Sequence, residues 1–313
     1  MEFNGGVFGE VNYKVLDQRQ PELRTFGFLP GSAGNFYTGD FDLLLTSRTN
    51  DKTSVLSEIV FGEGAAQSLN VDLERLLLRY DYNDHLKMSF GRYHTGIGYY
   101  NTAFHSGKWL HNTADRPLIM EFATDGGLLP TQAIGVSVNV RPDTDGSGRF
   151  DDENNGNNVN VGLYTRPPAI PGLQLGASFY HDKISNDEPL LTARLNQSIA
   201  NVHAIYTGHG LELLNEGLLI RHETEDGAES FNTPAFYSQI SQGFGHIRRS
   251  SDFQYVNVSA RGFCEDVGLR YGPSFSARYD FNDNVAFKLQ LDHTVRKGKP
   301  DLNGLQTQLA FTF

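Results

Sequence analysis

The sequence of 313 residues predicts an all-β fold: one domain over residues 1–313 that closes into a transmembrane antiparallel β-barrel of about 16 strands, within a range of about 14 to 18. Three observations predict it. Apolar residues stand at every second position over much of the chain, the alternating segments are about ten residues long, and long and short connectors follow one another. A tilted strand of about ten residues is long enough to cross a bilayer.

Composition excludes several classes of protein. No apolar run is longer than three residues, as in Leu43–Leu45, whereas a transmembrane helix needs about 20. The 26 Lys and Arg against 37 Asp and Glu give a net charge of −11, which argues against a nucleic-acid partner. A single cysteine, Cys264, excludes an intramolecular disulfide and a cysteine-rich metal site, and we interpret it as a bystander. No apolar signal-peptide segment follows Met1, so we expect a mature form.

The alternation can be followed strand by strand. Leu76 and Leu78 point to one face of a strand, and Arg75 and Arg79 point to the other. A polar turn over 82–85 follows. The same two-residue period predicts further strands over 86–90, 134–140, 159–163, 173–179, 285–291 and 305–313.

Connectors of two lengths separate the strands. Short ones are predicted near 49–52, 82–85, 166–172, 208–210, 243–246 and 280–284, and long ones near 16–35, 62–70, 94–117, 141–157, 181–196, 222–234, 259–271 and 296–303. Long loops on one side and short turns on the other are typical of outer-membrane barrels, and an even strand number puts both termini on the short-turn side. A soluble sandwich or propeller would also alternate, but its strands usually have only about 5–6 residues.

Three segments resemble parts of known outer-membrane proteins. The last strand has apolar residues at alternate positions and a final Phe, which is similar to the signal that such proteins present to the barrel-assembly machinery; the residues concerned are Leu305, Leu309, Phe311 and Phe313. Residues 86–98, with Gly-Arg-Tyr at their centre, and residues 235–242 resemble strands of the phosphate-selective porin group (porin O/P-like) of Gram-negative bacteria. The resemblance implies an outer-membrane location, contacts with lipid and lipopolysaccharide, and a homotrimer.

The third long connector, 94–117, is the strongest candidate for function. In trimeric porins the third outer loop folds inward and narrows the pore, and we expect the same here because this connector carries four aromatic residues that need a wall to pack against. A loop packed over the barrel mouth is the alternative. The candidate constriction residues are His94, His105, Lys108, His111, Asp115 and Arg116, with Glu121 just beyond.

Charged residues on the polar strand faces are expected to line the pore and act on solutes through the local potential. The alternative is a set of salt bridges that fill the lumen. The two signs are nearly balanced, so the sequence assigns no ion selectivity. The predicted wall residues are Glu10, Asp40, Asp42, Glu58, Arg75, Arg79, Lys87, Arg278, Asp280, Lys288 and Asp292.

One acidic connector resembles a calcium loop. Asp143, Asp145, Ser147 and Asp151 have the spacing of EF-hand ligands, although Asn154 stands where a bidentate Glu is expected. A solvated acidic loop is the alternative. The connectors 141–157 and 222–234 hold most of the negative charge, which we expect to meet divalent cations that bridge lipopolysaccharide.

The function predicted from these patterns is a passive diffusion channel for small polar or ionic solutes. No nucleophile elbow, zinc-protease helix or phosphate-binding loop occurs, so no enzyme and no cofactor beyond the possible calcium ion are expected. Two alternatives stay open. One is a structural or adhesive barrel with a plugged lumen, and the other is an outer-membrane hydrolase.

Overall fold

The structure is a computed structural model. It describes residues 2–18, 33–63, 69–105, 108–121, 128–141, 146–153, 158–184, 194–259, 262, 264 and 267–313. Over these residues the chain forms a closed barrel of 16 strands, in which each strand pairs with its neighbours in sequence and β1 pairs with β16. Every pairing is antiparallel, and Glu10 opposite Ala310 marks the closing seam. The predicted fold class is confirmed.

The strands are long for a soluble sheet, with up to 16 residues. They are β1 Glu2–Leu16, β2 Ala33–Arg48, β3 Thr53–Glu63, β4 Leu69–Asp81, β5 Leu86–His94, β6 Gln132–Val140, β7 Gly146–Glu153, β8 Asn158–Thr165, β9 Leu173–Ile184, β10 Leu195–Gly208, β11 Leu211–Thr224, β12 Ser230–Phe244, β13 Ile247–Asn257, β14 Leu269–Asp280, β15 Val285–Arg296 and β16 Leu302–Thr312.

The two faces of the barrel reverse the pattern of a soluble protein. Outward-facing positions hold large apolar side chains that stay exposed, such as Leu163 at 66% and Phe275 at 57%. Inward-facing positions hold polar side chains that are fully buried, such as Lys288 and Gln308 at 0%. Because successive side chains on a strand point to opposite faces, the two-residue sequence period produces this separation directly.

A bulge in β4 changes which residues face inward. The pairing with β3 slips between Glu58 and Ile59, so Glu74 is the extra residue. Before the slip the odd-numbered Leu73 is exposed at 40%, and after it the even-numbered Leu76 is exposed at 47%. Glu74, only 7% exposed, is thereby turned inward next to Arg75.

The predicted connectors are largely confirmed, with three corrections. The predicted end of the third long connector near 117 is wrong, because a short helix follows at Leu118–Glu121 and β6 begins only at Gln132. The predicted long loop 141–157 is wrong, because β7 occupies 146–153 within it. Arg149 and Asp151 pair inside the barrel at 2.8 Å, and Phe150 is its one large apolar residue, so the sequence of β7 lacks the apolar face that identifies a strand. The predicted loop 222–234 is also too long, because β11 continues to Thr224 and β12 begins at Ser230. Here the strands extend beyond their apolar stretches.

The connector between β5 and β6 contains all the helices in the described part of the chain. These are α1 Tyr99–Phe104, a short 3-10 helix Lys108–Leu110 and α2 Leu118–Glu121. Among the described residues, no helix is both long and apolar enough to cross a membrane. We call residues 95–131 the crossing segment.

Candidate constriction and charged lining

The crossing segment contacts strands on all sides of the barrel. It hydrogen-bonds to side chains on β7, β11, β13, β14, β15 and β16, it forms an ion pair with β1, and His105 contacts Glu74 on β4. The wall residues are Asp151, Glu216, Gln254, Arg278, Lys288, Gln290, Gln308, Lys14 and Glu74. The partners Lys288 and Arg278 lie close to the short turn at 281–284. We infer that the segment crosses the barrel interior rather than its mouth.

A buried carboxylate on β11 holds the start of α1. Glu216 accepts hydrogen bonds from the Tyr100 backbone N–H at 3.1 Å, the Asn201 amide at 2.8 Å and the Tyr237 hydroxyl at 2.9 Å. Gly98 precedes the helix with φ +74, and a Cβ there would lie 1.8 Å from Glu216 Oε1. Only glycine allows both this backbone conformation and this approach.

Glu216 was not predicted from the sequence. The reason is that the inner face of β11 is apolar as well as the outer one, since Leu214, Leu218 and Ile220 are buried inside the barrel. When both faces of a strand are apolar, the sequence does not indicate which of them points into the barrel. The signal for Glu216 in the sequence is that it is a single acidic residue between Leu214 and Leu218, which lie on the same face of the strand.

An apolar core packs the crossing segment against one side of the barrel. Tyr100, Ile119, Met120, Leu128 and Leu129 of the segment join a cluster of inward-facing residues on β9 to β13. Burial of each large apolar side chain contributes about 1.5–3 kcal/mol. The wall residues of this cluster are Tyr180, Ile199, Ile205, Leu214, Leu218, Ile220, Ala235, Tyr237 and Val256.

Two of the predicted wall cations bind the segment instead of lining open water. Lys288 Nζ donates to the Thr113 carbonyl at 3.1 Å. Arg278 donates to the His111 carbonyl at 2.9 Å and to Asp280 at 2.7 Å, and its guanidinium lies 4.6 Å from the centre of the Trp109 ring. These contacts fix the far end of the segment.

The other predicted wall charges are mostly paired with each other. Arg75 contacts Glu58 at 2.5 Å, and Arg79 contacts Asp81 at 2.7 Å. Lys87 lies 3.7 Å from the same Asp81 carboxylate. On β2, Asp42 is buried, and the Asp40 backbone N–H donates to the Glu10 carboxylate at 2.9 Å. For Arg75, Arg79 and Lys87 the structure agrees with the salt-bridge alternative.

A charged gap separates the segment from β1 and β13–β16. A cavity of about 70 Å³ is lined by three cations and three carboxylates, among other residues: Lys14, Arg116, Arg270, Asp115, Glu121 and Asp292. Lys14 and Asp115 pair at 2.6 Å. Burial and the nearby Asp115 carboxylate raise the pKa of Glu121 to about 7. This side of the lumen is therefore polar, unlike the side of β9–β13.

The titration of Glu121 should be visible in ion selectivity. Its carboxyl is neutral below its pKa and charged above it, so the gap loses one negative charge as the pH falls. We expect reversal potentials in a salt gradient to shift toward cation preference as the pH rises from about 6 to about 8, because Glu121 then gains its negative charge. Glu121→Gln should remove the shift, whereas Glu225→Gln on an exposed connector should keep it. A wild-type reversal potential constant over this range would contradict the assignment.

Three residues form a compact cluster where α1 meets the wall. Glu74 Oε1 lies 2.9 Å from His94 Nε2 and 2.7 Å from His105 Nε2. The two imidazole rings are 4.2 Å apart between centroids. Burial lowers the pKa of the His105 imidazole. Both histidines were predicted from the sequence and Glu74 was not, although the exposed leucines change from odd-numbered Leu73 to even-numbered Leu76, which indicates the bulge.

Other predicted site residues have simpler surroundings. His111 contacts the Tyr100 hydroxyl at 3.0 Å and the Phe104 carbonyl at 2.8 Å, so it packs within the segment. Arg116 donates to the His105 carbonyl at 3.1 Å. The Lys108 side chain lies outside the described part. Cys264 lies in the predicted connector between β13 and β14 and is buried.

The predicted calcium ligands do not form the expected loop. Ser147 and Asp151 lie on β7, where residues four apart are separated by about 13 Å. Asp143 and Asp145 lie outside the described residues. Calcium binding by this segment stays a prediction.

The C-terminal residues have the predicted arrangement. β16 pairs with β1, and Leu309 and Phe313 are exposed at 41% and 72% on the outer face. The Phe313 carbonyl accepts from the Val7 backbone N–H at 2.9 Å, which continues the seam to the last residue. Recognition of this strand by an assembly machinery stays a prediction.

Comparison with known proteins gives structural relatives only. No protein-family model matches the sequence, and neither does any curated protein. The anion-selective porin from Comamonas acidovorans has 11% identity, 100% of both chains covered and a TM-score of 0.67. The outer membrane channel DcaP of Acinetobacter baumannii has 10% identity, 100% of this chain and 96% of that chain covered, and a TM-score of 0.66. A loop-deletion mutant of OmpT, an outer membrane protein of Vibrio cholerae, has 13% identity, 99% of both chains covered and a TM-score of 0.64. At these identities the likeness shows a shared barrel fold.

Proposed function

We propose that the chain is an outer-membrane porin, a passive diffusion channel for small polar or ionic solutes in a Gram-negative bacterium. The observation that carries the proposal is the separation of the two faces: exposed apolar side chains outside a closed barrel and polar ones inside it. An apolar outer surface is suited to lipid, and a polar lumen is suited to water and solutes. The porin and channel titles of the structural relatives support the same function.

The mechanism combines exclusion by size with local electrostatics. The apolar core packs the crossing segment against β9–β13, and solutes pass through the charged gap between the segment and β1 and β13–β16. There the cations and carboxylates face each other at short range and orient a dipolar solute. Because their numbers are equal around the charged gap, weak ion preference is expected.

Planar bilayers test this function directly. Purified protein should produce stepwise conductance increments, with a reversal potential near zero in a salt gradient at a pH above the pKa of Glu121. Migration that differs between heated and unheated samples in detergent gels would show that the inserted barrel is folded. Folded protein that stays silent in bilayers would contradict the open channel.

A second candidate is a barrel whose lumen is closed by the crossing segment. The buried contacts of Lys288 and Arg278 with the segment favour it, because they bring the segment close to the short-turn end. Such a barrel would be structural or adhesive, and it would be silent in bilayers. The described site gives no comparable support for the outer-membrane hydrolase. Ester hydrolysis by the purified protein, abolished by a single Ser or His substitution, would be the evidence for it.

The assembly and partners follow from the same proposal. We propose a homotrimer, by analogy with the trimer form described for OmpT of Vibrio cholerae, in contact with lipid and lipopolysaccharide. Folding would proceed through the barrel-assembly machinery with β16 as the recognised strand. Cross-linking of the native membrane should give a threefold mass, and a monomer alone would contradict the trimer.

A further inference from the structure

The cluster of Glu74, His94 and His105 lies outside the charged gap. Its three side chains come from different elements: the bulge of β4, the last residue of β5 and the residue after α1. The Oε1 and Nε2 atoms that face each other all lie within 4.8 Å of one another. The side chains are little exposed, at 10%, 7% and 10%.

The orientation of His105 is fixed by its neighbour Asn101. The Asn101 amide nitrogen lies 3.0 Å from the Thr95 carbonyl and 3.0 Å from the Thr131 carbonyl, both of which can only accept hydrogen bonds. The Asn101 oxygen therefore faces His105, and His105 Nδ1 lies 2.8 Å from it. Since that oxygen is also an acceptor, Nδ1 of His105 has to carry the proton.

This tautomer leaves the other nitrogen without a proton. A neutral imidazole protonated on Nδ1 presents the Nε2 lone pair to Glu74 Oε1, 2.7 Å away. Two acceptors at this distance repel each other unless a positive species lies between them. A proton is one such species: on the buried ring it is disfavoured by desolvation, and on the carboxyl group it makes Glu74 a donor to Nε2. A metal cation is the other.

We propose that Glu74, His94 and His105 bind a divalent transition-metal ion of the Zn²⁺ class. Two imidazole nitrogens and one carboxylate oxygen are ligands that zinc accepts at about 2.0–2.2 Å, with a further position left for water. The Asn101 oxygen has the role that outer-sphere acceptors have in such sites, where they receive the second ring N–H of a ligand histidine. The bound ion joins the end of α1 to β4 and β5.

The charges around the cluster are compatible with a cation. Arg75, the nearest cation on β4, is paired with Glu58 at 2.5 Å. Arg116 directs one guanidinium nitrogen to the His105 carbonyl, at 3.1 Å. The two neutral imidazoles and one carboxylate together carry one negative charge, which a divalent ion converts to one positive charge.

Zinc titration of the folded barrel tests the site. Detergent-solubilised protein is first treated with a chelator, and Zn²⁺ is then added in competition with a chromophoric chelator. We expect one Zn²⁺ per chain, and at least about tenfold weaker binding in Glu74→Gln, His94→Gln and His105→Gln, each tested separately. Co²⁺ in place of Zn²⁺ should give visible absorption bands that the same variants lose.

The control is His181→Gln. His181 lies on β9 and bonds to Ser198, so its loss should leave zinc affinity unchanged. Heat-dependent gel migration shows whether each variant is folded. The proposal is overturned if wild-type protein binds no Zn²⁺, or if all three cluster variants bind it as tightly as wild type. Neither outcome bears on bilayer conductance, so failure of the metal site leaves the proposed channel intact.

Discussion

Gly98→Ala is expected to detach the start of α1 from the barrel wall. A Cβ at this position would lie 1.8 Å from Glu216 Oε1 and 3.1 Å from Asn201 Nδ2, so the carboxylate has to move. It then loses hydrogen bonds from Tyr100 and Tyr237, and φ +74 is itself strained for alanine. Together these effects should cost at least about 3 kcal/mol.

The single tryptophan allows the loss of stability at the start of α1 to be measured. Trp109 belongs to the crossing segment and stacks under Arg278, so its fluorescence reports on the segment during a urea titration. We expect a lower urea midpoint for Gly98→Ala, while gel migration shows the barrel still folded. Gly6→Ala on β1 is the matched control, because a Cβ there has no heavy atom within 4 Å. Equal midpoints for the two variants would show that the contact with Glu216 is not needed.

The sequence predicts the barrel because lipid and lumen impose a simple alternation on most strands. β15 and β16 follow it over most of their length, and the large apolar residues Phe287, Leu289, Leu291 and Leu309 are exposed on the outer face. β7 was missed because its inner face carries charges and its outer face has little apolar character beyond Phe150. Alternation identifies a strand only where the outer face is apolar over several positions.

The candidate site was less predictable for a different reason. The position of the crossing segment depends on contacts between residues far apart in sequence, such as Gly98 with Glu216 and Lys288 with Thr113. Local pattern does not encode such pairs. The aromatic and charged residues of the connector are visible in the sequence, but the contacts of Lys288 and Arg278 with it are not.

Lys288→Met is expected to release the other end of the segment. The ammonium group is 0% exposed and donates to the Thr113 carbonyl at 3.1 Å, and methionine has a similar length without a donor. The buried carbonyl is left without this bond, at a cost of about 1–3 kcal/mol. The ladder bonds of β15 to β14 and β16 involve only its backbone, so the barrel itself should stay folded.

Release should change conductance under both candidate functions. In an open porin the single-channel conductance should rise and fluctuate, and in a closed barrel a silent protein should begin to conduct. Adding Gln290→Leu should strengthen the effect, because Gln290 Oε1 accepts from the Ala114 backbone N–H at 2.7 Å. Lys297→Met, at an exposed connector position, removes the same charge without touching the segment and should leave conductance as in wild type. The two lysine variants have the same net charge and differ only in contact with residues 113–115. A change in conductance confined to Lys288→Met would therefore identify the segment as the part of the chain that limits the flow of ions. Unchanged conductance in both variants would contradict the position of the segment across the lumen.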